Sequence, residues 1–136
     1  MNDVSDAWFG GRARRVRLER LRDARGELMP LPFDRLPFVP RRVFVVRDVP
    51  RGTVRGGHGH RSGQQLLVCL HGEIRARLQA GGEAVDLVLA ADADGLLVGP
   101  GVWCAQTYAA PDSVLLVLAS DPYDPSSYLA APEDAR

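Results

Sequence analysis

The chain predicts an all-β domain, a sandwich or barrel of two antiparallel sheets, and three observations predict it. Short runs rich in Val, Leu, Ile and Phe recur along the chain. Turns bearing Gly, Asp or Pro separate them at regular spacing, the pattern of a sandwich or barrel rather than of alternating strands and helices. Helix is expected only in the tail, where Pro125 to Asp134 has room for a turn or two and Ser126 or Ser127 to cap it.

The elements follow in order. Residues 1–13 form a loosely ordered leader in which Trp8 and Phe9 are apolar enough to dock, and residues 14–136 form a single domain. Arg14 to Leu21 alternates, with Val16 and Leu18 between arginines, as a half-buried strand does. Asp23 to Leu28 is a turn, with an Asp able to bond its own backbone and Gly26 for a positive φ. Pro30, Pro32, Pro37 and Pro40 exclude helix from the next segment, which reads as a packing strap. Arg42 to Val49 is a strand around the β-branched and aromatic Val43-Phe44-Val45-Val46. Further strands are predicted at Gln64 to Leu70, Glu73 to Gln79, Ala84 to Leu89, Gly95 to Val98 and Val114 to Leu118. On the strand from Glu73, Arg75 and Arg77 share one face with Glu73, and Ile74, Ala76 and Leu78 share the other. Alternation alone does not say which face is inside.

Composition narrows the function classes. The chain has 136 residues and a formal net charge of +0, which argues against nucleic acid or an anionic membrane surface as partner. Every basic residue is arginine, and there is no lysine. The first residues are polar and acidic with no apolar segment behind them, so no signal peptide is expected. The longest apolar run, Val114 to Ala119, is too short to span a bilayer. The expectation is a cytoplasmic protein in which Cys69 is a buried reduced thiol, with a disulfide to Cys104 left open by the sequence.

The chemistry concentrates in Arg55-Gly56-Gly57-His58-Gly59-His60. Histidines two apart on an extended chain face the same side, and the glycines let the backbone bend and other atoms come close. Imidazole titrates near neutral pH and is suited to taking and returning a proton. Gln65 follows, and then an apolar run closed by His71-Gly72; His71, in a turn, reads as a surface residue.

These residues resemble the first motif of the cupins, small jelly-roll barrels, and Gly95 to Cys104 is similar to the second. Metal-binding cupins hold their ion with two histidines and a Glu from the first motif and a histidine from the second. Here Gln65 stands at the Glu position and Cys104 at the second-motif His position. Losing the carboxylate favours proton transfer over Lewis-acid chemistry, so neither a metal nor another cofactor is expected.

The resemblance narrows further. Arg42-Val43-Phe44, Asp48-Val49, Arg55 to His60, Gln65, Val114 to Ser120, Tyr123-Asp124 and Tyr128 look like the nucleotide-sugar 3,4-ketoisomerases. So do Asp23-x-Arg25-Gly26-x-Leu28 and Leu36-Pro37-Phe38, and the likeness runs from about residue 15 to 130. It implies isomerisation of dTDP-4-keto-6-deoxyglucose to the 3-keto sugar through an enediol, upstream of an aminotransferase that makes an amino sugar. It also implies a homodimer that exchanges amino-terminal strands, residues 14 to 28. His60 is then expected as the base at C3, with His58 moving protons on the oxygen side.

Arginine suits a pyrophosphate. Candidates for the substrate's charged end are Arg42, Arg55, Arg61, Arg75 and Arg77. Gln65 is expected to bind substrate or orient a histidine, and Trp103 to stack or wall the pocket. Family members often carry a tyrosine near Phe44 and Val45. Lacking one here, the chain offers Arg47, on the face of Val45 in a regular strand, as an electrophile for the enolate oxygen. Two rivals remain open: a metal-binding cupin, and a diverged cupin that binds a sugar without turnover.

Overall fold

The computed structural model describes residues 6–132. Thirteen strands occur among them: β1 (Ala7–Trp8), β2 (Ala13–Val16), β3 (Leu21–Asp23), β4 (Gly26–Leu28), β5 (Arg42–Val46), β6 (Val54–His60), β7 (Gln65–His71), β8 (Glu73–Ala80), β9 (Glu83–Ala90), β10 (Gly95–Val98), β11 (Trp103–Tyr108), β12 (Val114–Ala119) and β13 (Tyr128–Leu129). They build a six-stranded sheet, β1-β2-β10-β7-β12-β5, a five-stranded sheet, β13-β6-β11-β8-β9, and the separate β3–β4 hairpin. All pairings are antiparallel. The arrangement is the expected jelly roll, in which two sheets face each other across one interior.

Packing follows from alternation. Leu67, Cys69, Leu115 and Val117 from the six-stranded sheet meet Ile74, Ala76, Leu78, Leu89, Cys104 and Tyr108 from the other, and together they form the main core. The intervening residues Leu66, Val68, Leu97 and Leu118 point outward, yet they too are buried. Met29, Leu31, Leu36 and Phe38 of the proline-punctuated strap cover them. Burial on both faces explains why β7 and β12 read as unbroken apolar runs rather than alternating ones.

Four features depart from the sequence reading. Trp103–Tyr108 is a full strand between β6 and β8. The predicted strand from Arg14 to Leu21 stops at Val16, and Leu21 begins the hairpin, turned by Asp23, whose carboxylate accepts from Arg25 N. The tail forms a 3-10 turn at Pro125–Ser127 and then β13, not an α-helix, and residues 133 and 134 of that predicted helix lie outside the described residues. Part of the predicted leader joins the six-stranded sheet as β1, and Trp8 and Phe9 pack on the core; its residues 1–5 lie outside the described residues. No helix among the described residues is long and apolar enough to cross a membrane.

Candidate active site

Strand β6 carries the two histidines, and its local geometry sets what faces inward. Cys104 of β11 pairs with His58, but its neighbour Ala105 pairs with Gly56, so Gly57 is an extra residue and the strand bulges. Gly56 and Gly57 both have positive φ, 77° and 76°, a conformation that favours glycine. The bulge changes the parity of the strand. Arg55 pairs with Gln106 and therefore shares the inner face with His58 and His60, although it stands three residues from His58.

The inner face opens on a cavity of about 120 Å3 between the sheets. Phe44, Val46, Leu67, Val98, Val102, Leu115 and Val117 supply hydrocarbon walls, and Arg55, His58, His60, Gln65, Cys104, Gln106 and Tyr108 supply the polar groups. A few polar groups converging in an apolar pocket are what a small-molecule site requires.

The histidine rings lie 5.3 Å apart, centroid to centroid, and nearly perpendicular at 79°. The tail fixes their outer side. Asp124 caps the 3-10 turn by accepting from the Ser126 amide at 3.0 Å, and the chain leaves that turn as β13 beside β6. Tyr128 there stacks on His58 at 4.3 Å and meets His60 edge-on at 4.9 Å. Gly101 N donates to the His60 carbonyl at 2.8 Å and Arg61 N to the Ser127 carbonyl at 2.7 Å, so both flanks of the strand end are tied.

Burial, reinforced by His58 and Arg42 and opposed by Asp121, holds His60 below its ordinary pKa. The ring is therefore held as the free base, and its buried Nε2 has no hydrogen-bond partner among the described residues. A neutral, unengaged imidazole at a cavity wall is fit to accept a proton. Burial drives the Cys104 thiol up to about 12, against the opposing hydrogen bond from Gln106 Nε2 at 3.0 Å. It remains a protonated thiol, neither a nucleophile nor a thiolate ligand. Among the described residues, no group of three or more His, Cys, Asp or Glu side chains is placed to hold a metal ion.

The fold gathers some of the sequence-predicted residues and separates others. His58, His60, Gln65 and Arg55 line the cavity. Arg42 lies behind His60 in an adjoining pocket with Gln64, Gln65, Asp121 and Asp124. Its guanidinium sits 5.1 Å from the Phe44 ring centroid and 5.4 Å from that of Tyr123. Arg61 is exposed just beyond β6, outside both pockets.

Arg75 and Arg77 stand on the outer face of β8, engaged with Glu73 and Asp86, because Ile74, Ala76 and Leu78 take the interior. The strand β5 turns Phe44 and Val46 inward and leaves Val43 and Val45 more than half exposed; Arg47 follows the outward series and is itself exposed. Trp103 alternates with Cys104 and so lies on the outer side of β11, against Gly57 rather than in the cavity.

Two cavity residues, Gln106 and Tyr108, went unnoticed in the sequence, although they follow Cys104 at intervals of two. A tyrosine does face the cavity, then, from β11 rather than from β5.

The chain is similar to known proteins over most of its length. The family model described as FdtA: WxcM-like, C-terminal, matches residues 12–134. The TDP-4-oxo-6-deoxy-alpha-D-glucose-3,4-oxoisomerase of Aneurinibacillus thermoaerophilus is 36% identical over 115 residues, covering 84% of this chain and 83% of that protein. A mutant of the 3,4-ketoisomerase QdtA of Thermoanaerobacterium thermosaccharolyticum, solved with TDP-4-keto-6-deoxyglucose, superposes with a TM-score of 0.83. It shares 31% identity and covers 88% of this chain and 87% of its own. The TDP-quinovose 3,4-ketoisomerase WlaRB of Campylobacter jejuni gives 0.80 at 30% identity, covering 87% and 92%. With two imidazoles on a bulged strand inside a jelly roll and this extent of likeness, the chain belongs to the FdtA family, the family of these sugar 3,4-ketoisomerases.

Proposed function

We propose that this protein isomerises a TDP-linked 4-keto-6-deoxyhexose, with dTDP-4-keto-6-deoxyglucose the first candidate, to its 3-keto form by proton transfer through the histidine pair. The observation that carries the reading is the placement of His60 and His58, 5.3 Å apart, at the wall of a largely hydrocarbon cavity in a member of this family.

The step balances without a co-reactant. His60 takes the proton from C3, and the bonding pair forms a C3–C4 double bond as the C4 carbonyl becomes an enolate. His58 relays the proton of the C3 hydroxyl to the C4 oxygen, and His60, whose ring proton exchanges with solvent while the enediol persists, delivers a proton to C4, leaving the ketone at C3. The low pKa of His60 supports the base role, and the apolar walls strengthen hydrogen bonds to the enolate. Arg55 and Gln65 at the cavity, with Arg42 in the adjoining pocket and Arg61 just beyond β6, are the groups we assign to the sugar nucleotide. We assign no substrate contact within this chain to Arg47, Arg75, Arg77 or Trp103. The reading includes a cytoplasmic homodimer with exchange of the amino-terminal strands, and one catalytic domain from residue 14 onward. Its product would feed a transaminase in amino-sugar synthesis.

The test is incubation with dTDP-4-keto-6-deoxyglucose in D2O, with and without a pyridoxal-phosphate aminotransferase. Deuterium at the exchanging carbon and a 3-amino sugar are expected; a substrate recovered unexchanged refutes the reading. That second outcome would favour a binding protein without turnover, the reading to which Phe44 and Cys104 lend weight.

A further inference from the structure

Tyr108 is the cavity's unexplained polar group. Its ring is 0% exposed, and its hydroxyl is buried without a hydrogen-bond partner among the described residues. Leaving a hydroxyl in that state opposes folding, whereas a phenylalanine would fill the same space at no such cost. The position is also held firmly. Tyr108 N donates to the Thr53 carbonyl at 3.0 Å, Gly52 N donates to the Tyr108 carbonyl at 2.8 Å, and Ile74 pairs with it across β8. It shares the inner face of β11 with Cys104, which pairs with His58, so it lines the same cavity as the histidines.

Among the other polar groups there, Gln106 already donates to the Cys104 sulfur, and Arg55, His58, His60 and Gln65 have the roles proposed above. We propose that the Tyr108 hydroxyl is a substrate-contacting catalytic group, donating a hydrogen bond to the keto oxygen that becomes the enolate when the histidine pair removes the C3 proton. The proton stays on the phenol, and the histidines carry every proton that moves. A ligand oxygen then satisfies a donor that the folded protein leaves unsatisfied, and the bond strengthens as negative charge develops. Burial, opposed by Arg55, raises the phenol to about 12, so it is a donor across the working pH range.

This inference rests on the ketoisomerase reading, and one experiment separates the two. The parent and Tyr108→Phe are compared for deuterium incorporation from D2O into dTDP-4-keto-6-deoxyglucose, for kcat and KM, and for thermal unfolding. Losing one preorganised donor should lower kcat by about 10²-fold, with KM changed far less. The midpoint of unfolding should hold or rise, because an unpaired buried hydroxyl has been removed. An active parent with a Tyr108→Phe rate within twofold of it overturns the Tyr108 assignment alone. So does a rate loss that only tracks a fall in the unfolding midpoint. A parent that exchanges no deuterium overturns the functional reading and this inference with it.

Discussion

Gly59 lies between the two histidines, and Gly59→Ala tests how the pair is held in place. A Cβ on Gly59 would stand 2.7 Å from the Val102 carbonyl oxygen, 3.1 Å from its carbon and 3.3 Å from Trp103 Cα. All three are backbone atoms of the segment that pins the His60 carbonyl through Gly101 N, so no side chain can rotate away. Gly59 has no positive φ, and the penalty is therefore one of contact alone. Ordinary contact begins at 3.4 Å, so β6 and this segment must part by roughly 0.7 Å. Overpacking of that size costs about 1–3 kcal/mol of stability. A shift approaching 1 Å in a proton-transfer pair costs about 10²-fold in rate. Urea unfolding and the rate of deuterium incorporation measure the two effects on one sample. A variant that unfolds at the parent's urea concentration and turns over at the parent's rate would refute the claim that this contact positions the histidines.

Three further expectations concern the same site. His60→Asn should lower turnover by about 10²–10⁴-fold with an unchanged circular dichroism spectrum, and near-normal turnover would move the base elsewhere. His60 also predicts a pH dependence. Its folded pKa is below the ordinary 6.5, so the unfolded chain binds a proton that the folded chain refuses. That contribution to stability is fully present above about 6.5 and is lost as pH falls through the folded value. Urea midpoints across the acid range should therefore fall more steeply for the parent than for His60→Asn, and parallel curves would contradict the assignment. Finally, Arg55→Ala should raise KM about 10-fold or more through loss of a charge-assisted contact. Arg77→Ala gives up only an exposed pair with Asp86 and should leave KM alone, so equal effects of the two would undo the division into inner and outer arginines.

What the sequence revealed follows physical rules, and so does what it concealed. Strands buried on one or both faces announced themselves: Val43 to Val46, Leu66 to Leu70 and Val114 to Ala119 are rich enough in apolar residues to admit no other reading. The histidine pair was legible because a strand's period of two places both rings on one face whatever the rest of the fold does. Strand β11 was hidden because it lines the site. Its inner series is Cys104, Gln106 and Tyr108 and its outer series is Trp103, Ala105 and Thr107, so polarity carries no trace of inside and outside. The side that Arg47 takes was hidden for a related reason. A run of four apolar residues does not say which two face inward, and β5 is an edge strand with its outer side exposed. Arg75 and Arg77 were an open choice between two faces, and the demand for hydrocarbon between the sheets decided it.

The extra residue in β6 has a consequence for how this protein tolerates change. Straightening the bulge without shortening the chain would erase no side chain. Yet strict alternation over the three-residue step from Arg55 to His58 would send Arg55 to the outside while both imidazoles stayed where they are. Removing Gly57, by contrast, would leave Arg55 two residues from His58 and still inside. In this stretch, spacing is as much a determinant of the site as residue type. A substitution of His58 or His60 subtracts one group, whereas a side chain at Gly56 or Gly57 that forced the strand straight would part the guanidinium from the rings with every polar group still present.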